Sequence, residues 1–152
     1  MWTWDLSKVK GGRPQKLLHL ATVTAKYFRE NRVDYAFCEA PLNIAVMRDI
    51  GATDETVQML RSIIAIIELC CAYADIPVSM WDVQAARRAV TGRGTYPRGT
   101  AKAEIMRYCK MLGYAPEGDD QCDALIGWLA MSANLNPRLQ AALTPLFGAV
   151  PK

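Results

Sequence analysis

Three aspartates stand close together in the segment PEGDDQCDALIGWL, residues 116–129. Asp120 and Asp123 are three residues apart, so on a helix their side chains project from one face, with Cβ atoms roughly 5–6 Å apart. Like charges at that separation repel, and a divalent cation such as Mg²⁺ would remove the repulsion; ions held this way can hydrolyse phosphodiesters. The alternative is helix capping. It explains Asp119 well, Asp120 adequately and Asp123 poorly, because Asp123 lies one turn inside the helix.

A further carboxylate, Glu39, ends the segment VDYAFCE, residues 33–39. The run of apolar and aromatic residues predicts a buried strand of a parallel sheet. Ligands bind beyond the carboxyl ends of strands in such sheets, which singles out Glu39. Burying a carboxylate there is costly unless it is paired or bound to a metal. Glu39 alone is therefore equally compatible with a strand-end salt bridge and with a metal ligand.

The segment DVQAARRAVTGRGTYPRGTAKAE supplies the opposite charge, because no acid occurs between Asp82 and Glu104. Its glycines allow close backbone approach to a ligand. An isolated group of charged residues usually forms only a solvated surface. In this segment the absence of acids and the presence of glycines favour contacts with phosphate. The spacing of Gly94 and Gly99 does not make a nucleotide-binding P-loop, because the positions for Lys and Ser/Thr are not filled. The predicted phosphate-contacting residues are Arg87, Arg88, Arg93, Arg98 and Lys102.

The rest of the chain must supply elements that position these groups. Pro14 suits the first position of a helix, and Thr53 or Asp54 can cap a longer apolar one. The predicted helices cover residues 14–30, 56–74, 83–89, about 101–112 and the Asp-rich segment. The predicted strands cover residues 33–39 and 76–81, and residues 2–6 could form a further short strand. Alternating strands and helices predict an α/β domain with a parallel sheet.

Composition limits the class of protein. The 152 residues, 51% of them hydrophobic and 22% charged, are typical of one globular domain, 1–152, and exclude a disordered chain. Five cysteines without regular spacing and a single histidine, His19, favour reduced core thiols over a disulfide framework or a zinc site. The longest apolar run, residues 63–74, is interrupted by Glu68 and is short for a membrane span, so we expect a soluble cytoplasmic protein without a membrane partner.

In order along the chain, TWDLS, YAFCEAP, TGRGTYPRGTAKAEI and DDQCDALIGWLA resemble the motifs of RuvC-type Holliday-junction resolvases, particularly the phage and prophage branch. The resemblance covers essentially the whole chain. It implies a ribonuclease-H-like mixed sheet flanked by helices, and a homodimeric endonuclease in a bacterial host that cuts four-way DNA junctions with Mg²⁺ or Mn²⁺. By motif, the family's metal-binding acids correspond to Glu39, Asp120 and Asp123. Lys102 corresponds to its catalytic basic residue near the scissile phosphate, and Arg93 and its basic neighbours to contacts with the DNA backbone.

The chain departs from the family at its start. The family's first catalytic Asp lies on an opening strand, and the sequence here begins at what resembles the third strand; Asp5 belongs to TWDLS and does not replace that acid. We therefore expect an N-terminally truncated sheet, completed upstream, by another chain, or not at all. The alternative function is a catalytically inactive protein that binds branched DNA without cleaving it. An unrelated α/β protein whose acids cap helices is a third, weaker alternative.

Overall fold

The structure is a computed structural model that describes residues 4–41, 43–97, 99–136 and 138. Its helices are α1 (Arg13–Glu30), α2 (Ile44–Asp49), α3 (Asp54–Tyr73), α4 (Val83–Thr91), α5 (Ala101–Met111) and α6 (Asp119–Leu135); its strands are β1 (Ala36–Glu39) and β2 (Val78–Trp81). The predicted helices are confirmed with small shifts at their ends. The short helix α2 was not predicted. The chain separates into two compact units, Trp2–Ser79 and Met80–Lys152.

In the first unit, α1 packs against α3. The buried side chains of these two helices are Leu20 and Thr24 of α1 and Val57 and Cys71 of α3. The cap of α3 is Thr53, whose side chain accepts a hydrogen bond from the Thr56 N–H. A capping hydroxyl satisfies one of the unpaired N–H groups at a helix start, which explains why the sequence signal was reliable here.

The strands β1 and β2 form a parallel, two-stranded sheet. The Ala36 N–H donates to the Pro77 carbonyl at 2.9 Å, and the Tyr35 and Ser79 hydroxyls lie 2.7 Å apart. The prediction of a fully buried strand over 33–39 is wrong, because β1 is shorter, Phe37 and Cys38 are half-buried and Glu39 is exposed. Since two strands make up the sheet in the described part of the chain, neither strand is covered by neighbours on both sides.

The predicted strand over residues 2–6 is also wrong where the structure describes it. Leu6–Lys8 forms a single 3-10 turn, and Asp5 caps it by accepting a 2.9 Å hydrogen bond from the Ser7 N–H. An Asp side chain that bonds to the backbone two residues on competes with strand formation. Trp4 packs edge-on against Tyr27 of α1, with ring centroids 6.0 Å apart; Trp2 lies outside the described residues.

In the second unit, α6 is the central element and packs against both α4 and α5. Its buried face carries Leu125, Ile126, Leu129, Ala130 and Ala133. Ile105 and Cys109 of α5 and Ala86 and Val90 of α4 are also buried. Because both neighbours contact α6, side chains from α4 and α5 can reach its first turn, where the aspartates lie.

One helix in the described part of the chain, the 20-residue α3, is long and apolar enough to cross a membrane by length and composition. This is weak evidence, since core helices of soluble proteins meet the same criterion. The sequence prediction that no segment is long enough considered only the apolar run of residues 63–74. It therefore underestimated the length of the apolar helix, which is that of the whole of α3. The absence of a membrane partner stays a prediction.

Candidate functional site

The first turn of α6 begins at Gly118, whose extended backbone is the helix cap and provides no side-chain hydrogen bond. The prediction that Asp119 is the cap is therefore wrong. Asp119 lies inside the first turn with Asp120, where the helix dipole favours negative charge. Its carboxylate Oδ2 instead contacts the Lys102 Nζ of α5 at 2.5 Å.

Asp123, one turn further along α6, forms a forked ion pair with Arg87 of α4. Arg87 Nη2 donates to Oδ1 at 2.7 Å and to Oδ2 at 2.8 Å, and Nε donates to Oδ1 at 3.1 Å. The side chains are 19% and 27% exposed, respectively. Such bidentate, charge-assisted bonds are stronger than neutral ones. The described hydrogen bonds of the Asp123 carboxylate all go to Arg87, so Asp123 does not act as a helix cap.

Four charged side chains meet around one small cavity of about 10 Å³. They are Arg87, Lys102, Asp119 and Asp123, with Ile105 and Cys122 completing the lining. A cavity of this size is close to the lower limit for a single water molecule. The hydrogen bond and the charge of Asp119 raise the pKa of Lys102 above its usual 10.5, and the charges of Asp120 and Asp123 make smaller contributions in the same direction. Lys102 therefore remains protonated near neutral pH.

The structure thus brings together three residues predicted to act in one site: Arg87, Lys102 and Asp123. Asp120 is exposed on the same turn of α6. The sequence did not predict the pairing of Arg87 with Asp123, because 36 residues separate them. The only signal of it was that Asp123 is poorly explained as a cap.

Glu39 belongs to the other unit, at the exposed end of β1. It lines an apolar cavity of about 360 Å³ together with Cys38, Met47 and isoleucines of α3. Within the described part of the chain, no group of three or more His, Cys, Asp or Glu side chains is placed to hold a metal ion. The assignment of Glu39, Asp120 and Asp123 as joint metal ligands stays a prediction.

The remaining predicted DNA contacts lie on α4 and the glycine-containing loop that follows it. The Arg88 guanidinium packs against Gly94. A Cβ added to this glycine would lie 3.1 Å from the Arg88 Nε. Arg93 lies over the Tyr96 ring, 5.9 Å from its centroid. Thr91 organises this loop through a 2.6 Å contact with the Tyr96 hydroxyl and bonds to the Arg93 backbone. Arg98 lies outside the described residues.

No protein-family model matches the chain, and none of the curated proteins matches it. Among solved structures it is similar to the Thermus thermophilus RuvC structure, with a TM-score of 0.58 and 13% sequence identity over 91% of this chain and 73% of that one. The chain therefore has a RuvC-like fold, as the sequence motifs predicted. At this identity the likeness shows the fold alone, and the phage and prophage branch stays a prediction.

Proposed function

We propose that the protein is a metal-dependent, structure-selective endonuclease that cuts four-way DNA junctions by phosphodiester hydrolysis. The observation that carries this proposal is the charged cluster at the start of α6, within a RuvC-like fold. There, acids suited to a divalent cation lie beside cations suited to a phosphate. The finer identity, a bacterial cytoplasmic resolvase encoded by a phage or prophage, is part of the same proposal and rests on the sequence motifs.

The acids at the start of α6 are of the donor type that binds a hard divalent cation. Asp120 and Asp123 offer carboxylate oxygens from one helical turn, and these are the ligands that Mg²⁺ and Mn²⁺ prefer. The half-buried Asp123 is already bound to the positive charge of Arg87, so a metal ion at Asp123 would have to compete with that ion pair. We propose Glu39 as the third ligand. When bound, a divalent ion would lower the pKa of a bound water and stabilise charge on the scissile phosphate.

The side chains of the cluster have separate roles in this proposal. Lys102 is 75% exposed and protonated near neutral pH, so it can neutralise a phosphate oxygen close to the acids. Arg88 of α4, Arg93 of the following loop and Arg98 would contact the DNA backbone. Contacts of this kind depend on salt, because each neutralised phosphate releases counterions.

Cleavage of a synthetic four-way junction by the 152-residue protein tests the activity, with Mg²⁺ or Mn²⁺ and with EDTA as parallel arms. We expect metal-dependent cutting that is lost in Asp120→Asn and Asp123→Asn. The matched control is Asp54→Asn, which removes an equal charge from the exposed start of α3. Folded protein that does not cut the junction in either metal contradicts the proposal.

The second candidate is a protein that binds branched DNA without cutting it. It is favoured by the lack of a three-ligand cluster among the described residues. For such a protein, junction binding should weaken with added salt, and Asp120→Asn should change neither binding nor any metal effect. Junction cutting in the first experiment would exclude it.

A four-way junction offers two equivalent strands for cutting, which suits a two-fold symmetric homodimer. We propose that α3 forms the dimer interface, because Leu60, Leu69 and Tyr73 expose apolar or aromatic surface along it. Exposed apolar surface of this kind is typical of an interface.

A further inference from the structure

The cations and the acids of the first unit are separated along the chain. Residues 6–33 hold seven Lys and Arg residues and one acid, Glu30, whereas residues 34–79 hold two cations and seven acids. The first of these stretches contains the 3-10 turn at Leu6–Lys8 and the whole of α1. It is a second basic region of the chain, distinct in sequence from the segment between Asp82 and Glu104.

The fold places the segment before α1 alongside that helix. The 3-10 turn contacts α1, and Trp4 packs on Tyr27 near the end of the helix. Since α1 begins at Arg13, the segment from Trp4 to Gly12 runs back along it. The basic residues of these two neighbouring elements form what we call the α1 surface: Lys8, Lys10, Arg13, Lys16, Lys26 and Arg29.

Ion pairs within the protein account for little of this positive charge. Among the described residues, acids pair with Lys8 at 3.4 Å and with Lys26 at 3.8 Å, and both lysines are more than half exposed. Exposed pairs of this kind contribute little to folding. Lys10, Lys16 and Arg29 have no acidic partner within the part of the chain that the structure describes.

The start of α1 carries charge of the sign that is unfavourable for the helix itself. Arg13 is its first residue, Lys16 follows three residues later, and the first turn contains no acid. The helix dipole favours acids at this end, so these cations oppose helix formation. The Arg13 guanidinium donates to the neutral side chain of Gln58, which leaves its charge uncompensated. The stability of the fold therefore does not explain the charge, and an external polyanion would remove the repulsion.

We propose that the α1 surface binds the phosphate backbone of double-stranded DNA, as a contact surface additional to the charged cluster of α6. The choice of DNA as the polyanion rests on the proposed function. With 18 residues, α1 is about 27 Å long, which is the length of about eight base pairs. Cations distributed over this length suit the regular charge of a duplex better than they suit a small anion.

The surroundings favour a duplex over single-stranded DNA and over lipid. Tyr27 and Phe28 are half-buried, so their rings do not form the exposed platforms on which unpaired bases stack. An interfacial helix inserts a free apolar face into a membrane, but α1 packs against α3 and buries Leu20. Leu18 is exposed, and a single leucine does not make an apolar face.

Duplex binding by the intact protein tests the inference, measured by fluorescence anisotropy at several salt concentrations in EDTA. The test variant combines Lys10→Gln, Lys16→Gln and Arg29→Gln, the cations of the α1 surface without a described acidic partner. We expect its logarithmic salt slope to fall by about two to three, because each lost phosphate contact removes about 0.9. Its affinity at about 0.1 M salt should fall by about tenfold or more.

The matched control combines Arg48→Gln, Arg61→Gln and Arg107→Gln. It removes the same charge from exposed positions outside the α1 surface. The control should keep the salt slope of wild type, because these side chains are not expected to contact phosphate.

Three results would overturn the inference. The first is a test variant with the slope and affinity of wild type. The second is an equal loss in the test and control variants, which would mean that net charge alone matters. The third is unchanged duplex binding together with lost flotation on phosphatidylglycerol vesicles, which would assign the surface to lipid. If circular dichroism shows that the test variant does not fold, Lys10→Gln and Arg29→Gln decide as single variants, each with an expected fall in slope of about one.

Failure of this inference is distinguishable from failure of the proposed function, because the assay contains no metal and requires no cutting. Duplex binding through the α1 surface by a protein that cuts no junction in Mg²⁺ or Mn²⁺ would overturn the proposed function alone. Junction cutting by a protein whose duplex binding is unchanged in the test variant would overturn this inference alone.

Discussion

The indole ring of Trp81 lies where a side chain at Gly127 would be. A Cβ built on Gly127 would approach the ring atoms Cε2 and Cζ2 of Trp81 to 2.5 Å. Trp81 is buried at the end of β2, and Gly127 is buried in the middle of α6. The missing side chain thus allows close packing of Trp81 on the helix that carries Asp120 and Asp123.

Replacing Gly127 by alanine should destabilise the protein by about 1–3 kcal/mol, the usual cost of overpacking a core. Two effects oppose each other, because alanine also favours a helix over glycine by up to about 1 kcal/mol. Overpacking should win, since a rigid ring and not a flexible chain end lies in the way. Urea unfolding of Gly127→Ala measures the change.

The control for this substitution is the background Trp81→Leu, which removes the ring. Gly127→Ala should lower the free energy of unfolding less in this background than in wild type. The difference between the two effects is the coupling energy of the two residues. Equal effects in the two backgrounds would contradict the described contact.

The ion pair between Lys102 and Asp119 should matter more for DNA than for stability. Both side chains are substantially exposed, and exposed ion pairs contribute little to folding. We expect Lys102→Ala to unfold in urea nearly as wild type does, while junction binding weakens and its logarithmic salt slope falls by about one. Fluorescence anisotropy at several salt concentrations measures the slope. Lys110→Ala, a change of equal charge at the other end of α5, is the control and should leave the slope unchanged.

The raised pKa of Lys102 also has a pH consequence with a definite sign. Because Asp119 raises this pKa above 10.5, the contribution of the pair to stability is complete below that value. It is lost as the pH rises through the higher pKa of the folded protein. Junction binding through Lys102 should therefore be constant across the neutral range. The measurement is the difference in the free energy of junction binding between wild type and Lys102→Ala. If this difference falls between about pH 6 and about pH 8, Lys102 is not the protonated group that binds the junction.

Burial raises the pKa of the Cys109 thiol from 9.0 to about 12, with a smaller contribution from Cys122. The folded protein therefore keeps this proton at a pH where the unfolded chain releases it. Stability from the neutral thiol is complete below about pH 9 and is lost as the pH rises towards the folded pKa. We expect the stability advantage of wild type over Cys109→Ala to shrink by about 1 kcal/mol between about pH 8 and about pH 10.

Urea unfolding at the two pH values measures this difference. Ser62→Ala, which removes no group that titrates in this range, should show the same difference from wild type at both. A constant advantage over Cys109→Ala would mean that the thiol is not desolvated in the folded state.

Local patterns predicted the elements well, and contacts between distant residues poorly. The Thr53 cap and the start of α3 depend on neighbouring residues, so the sequence shows them directly. The position of Glu39 was misjudged, because burial of a strand depends on how many strands flank it. The fork between Arg87 and Asp123 depends on the packing of α4 on α6, which no pattern within either helix contains.

The same reasoning applies to the charged segment. A run without acids predicted cations for binding phosphate, yet it could not show that Lys102 and Arg87 contact Asp119 and Asp123. Those contacts distinguish cations held by the cluster from cations such as Arg93, which lies on the loop against Tyr96.

Thr91, the last residue of α4, should hold the following loop in its binding form. Its hydroxyl lies 2.6 Å from the Tyr96 hydroxyl, 2.8 Å from the Arg87 carbonyl and 3.1 Å from the Arg93 carbonyl. Thr91→Val keeps the shape and removes these bonds, so we expect a loss of about 1–2 kcal/mol and weaker junction binding. Thr22→Val is the control, because among the described residues the exposed Thr22 hydroxyl donates its hydrogen bond to the Leu18 carbonyl of its own helix. Unaltered junction affinity in Thr91→Val would show that loop order does not limit binding.

The exposed surface of α3 should decide the oligomeric state. Leu69 is 65% exposed and Tyr73 is 95% exposed, which is unusual for side chains on such an apolar helix. If two copies pair through α3, Leu69→Glu would bury an unpaired charge in the interface, and the dimer dissociation constant should rise at least about tenfold. Sedimentation equilibrium measures the constant. Met111→Glu, an equally polar change at a residue 68% exposed on α5, should leave it unchanged.

A membrane is the competing partner for the same surface, since α3 also has the length and composition of a span. Flotation with phospholipid vesicles separates the two. Wild type that dimerises and does not float supports the interface, because a pairing of two apolar faces leaves no apolar surface for lipid. Wild type that stays monomeric and floats, with Leu69→Glu remaining in solution, would assign α3 to lipid and contradict its proposed role in the dimer.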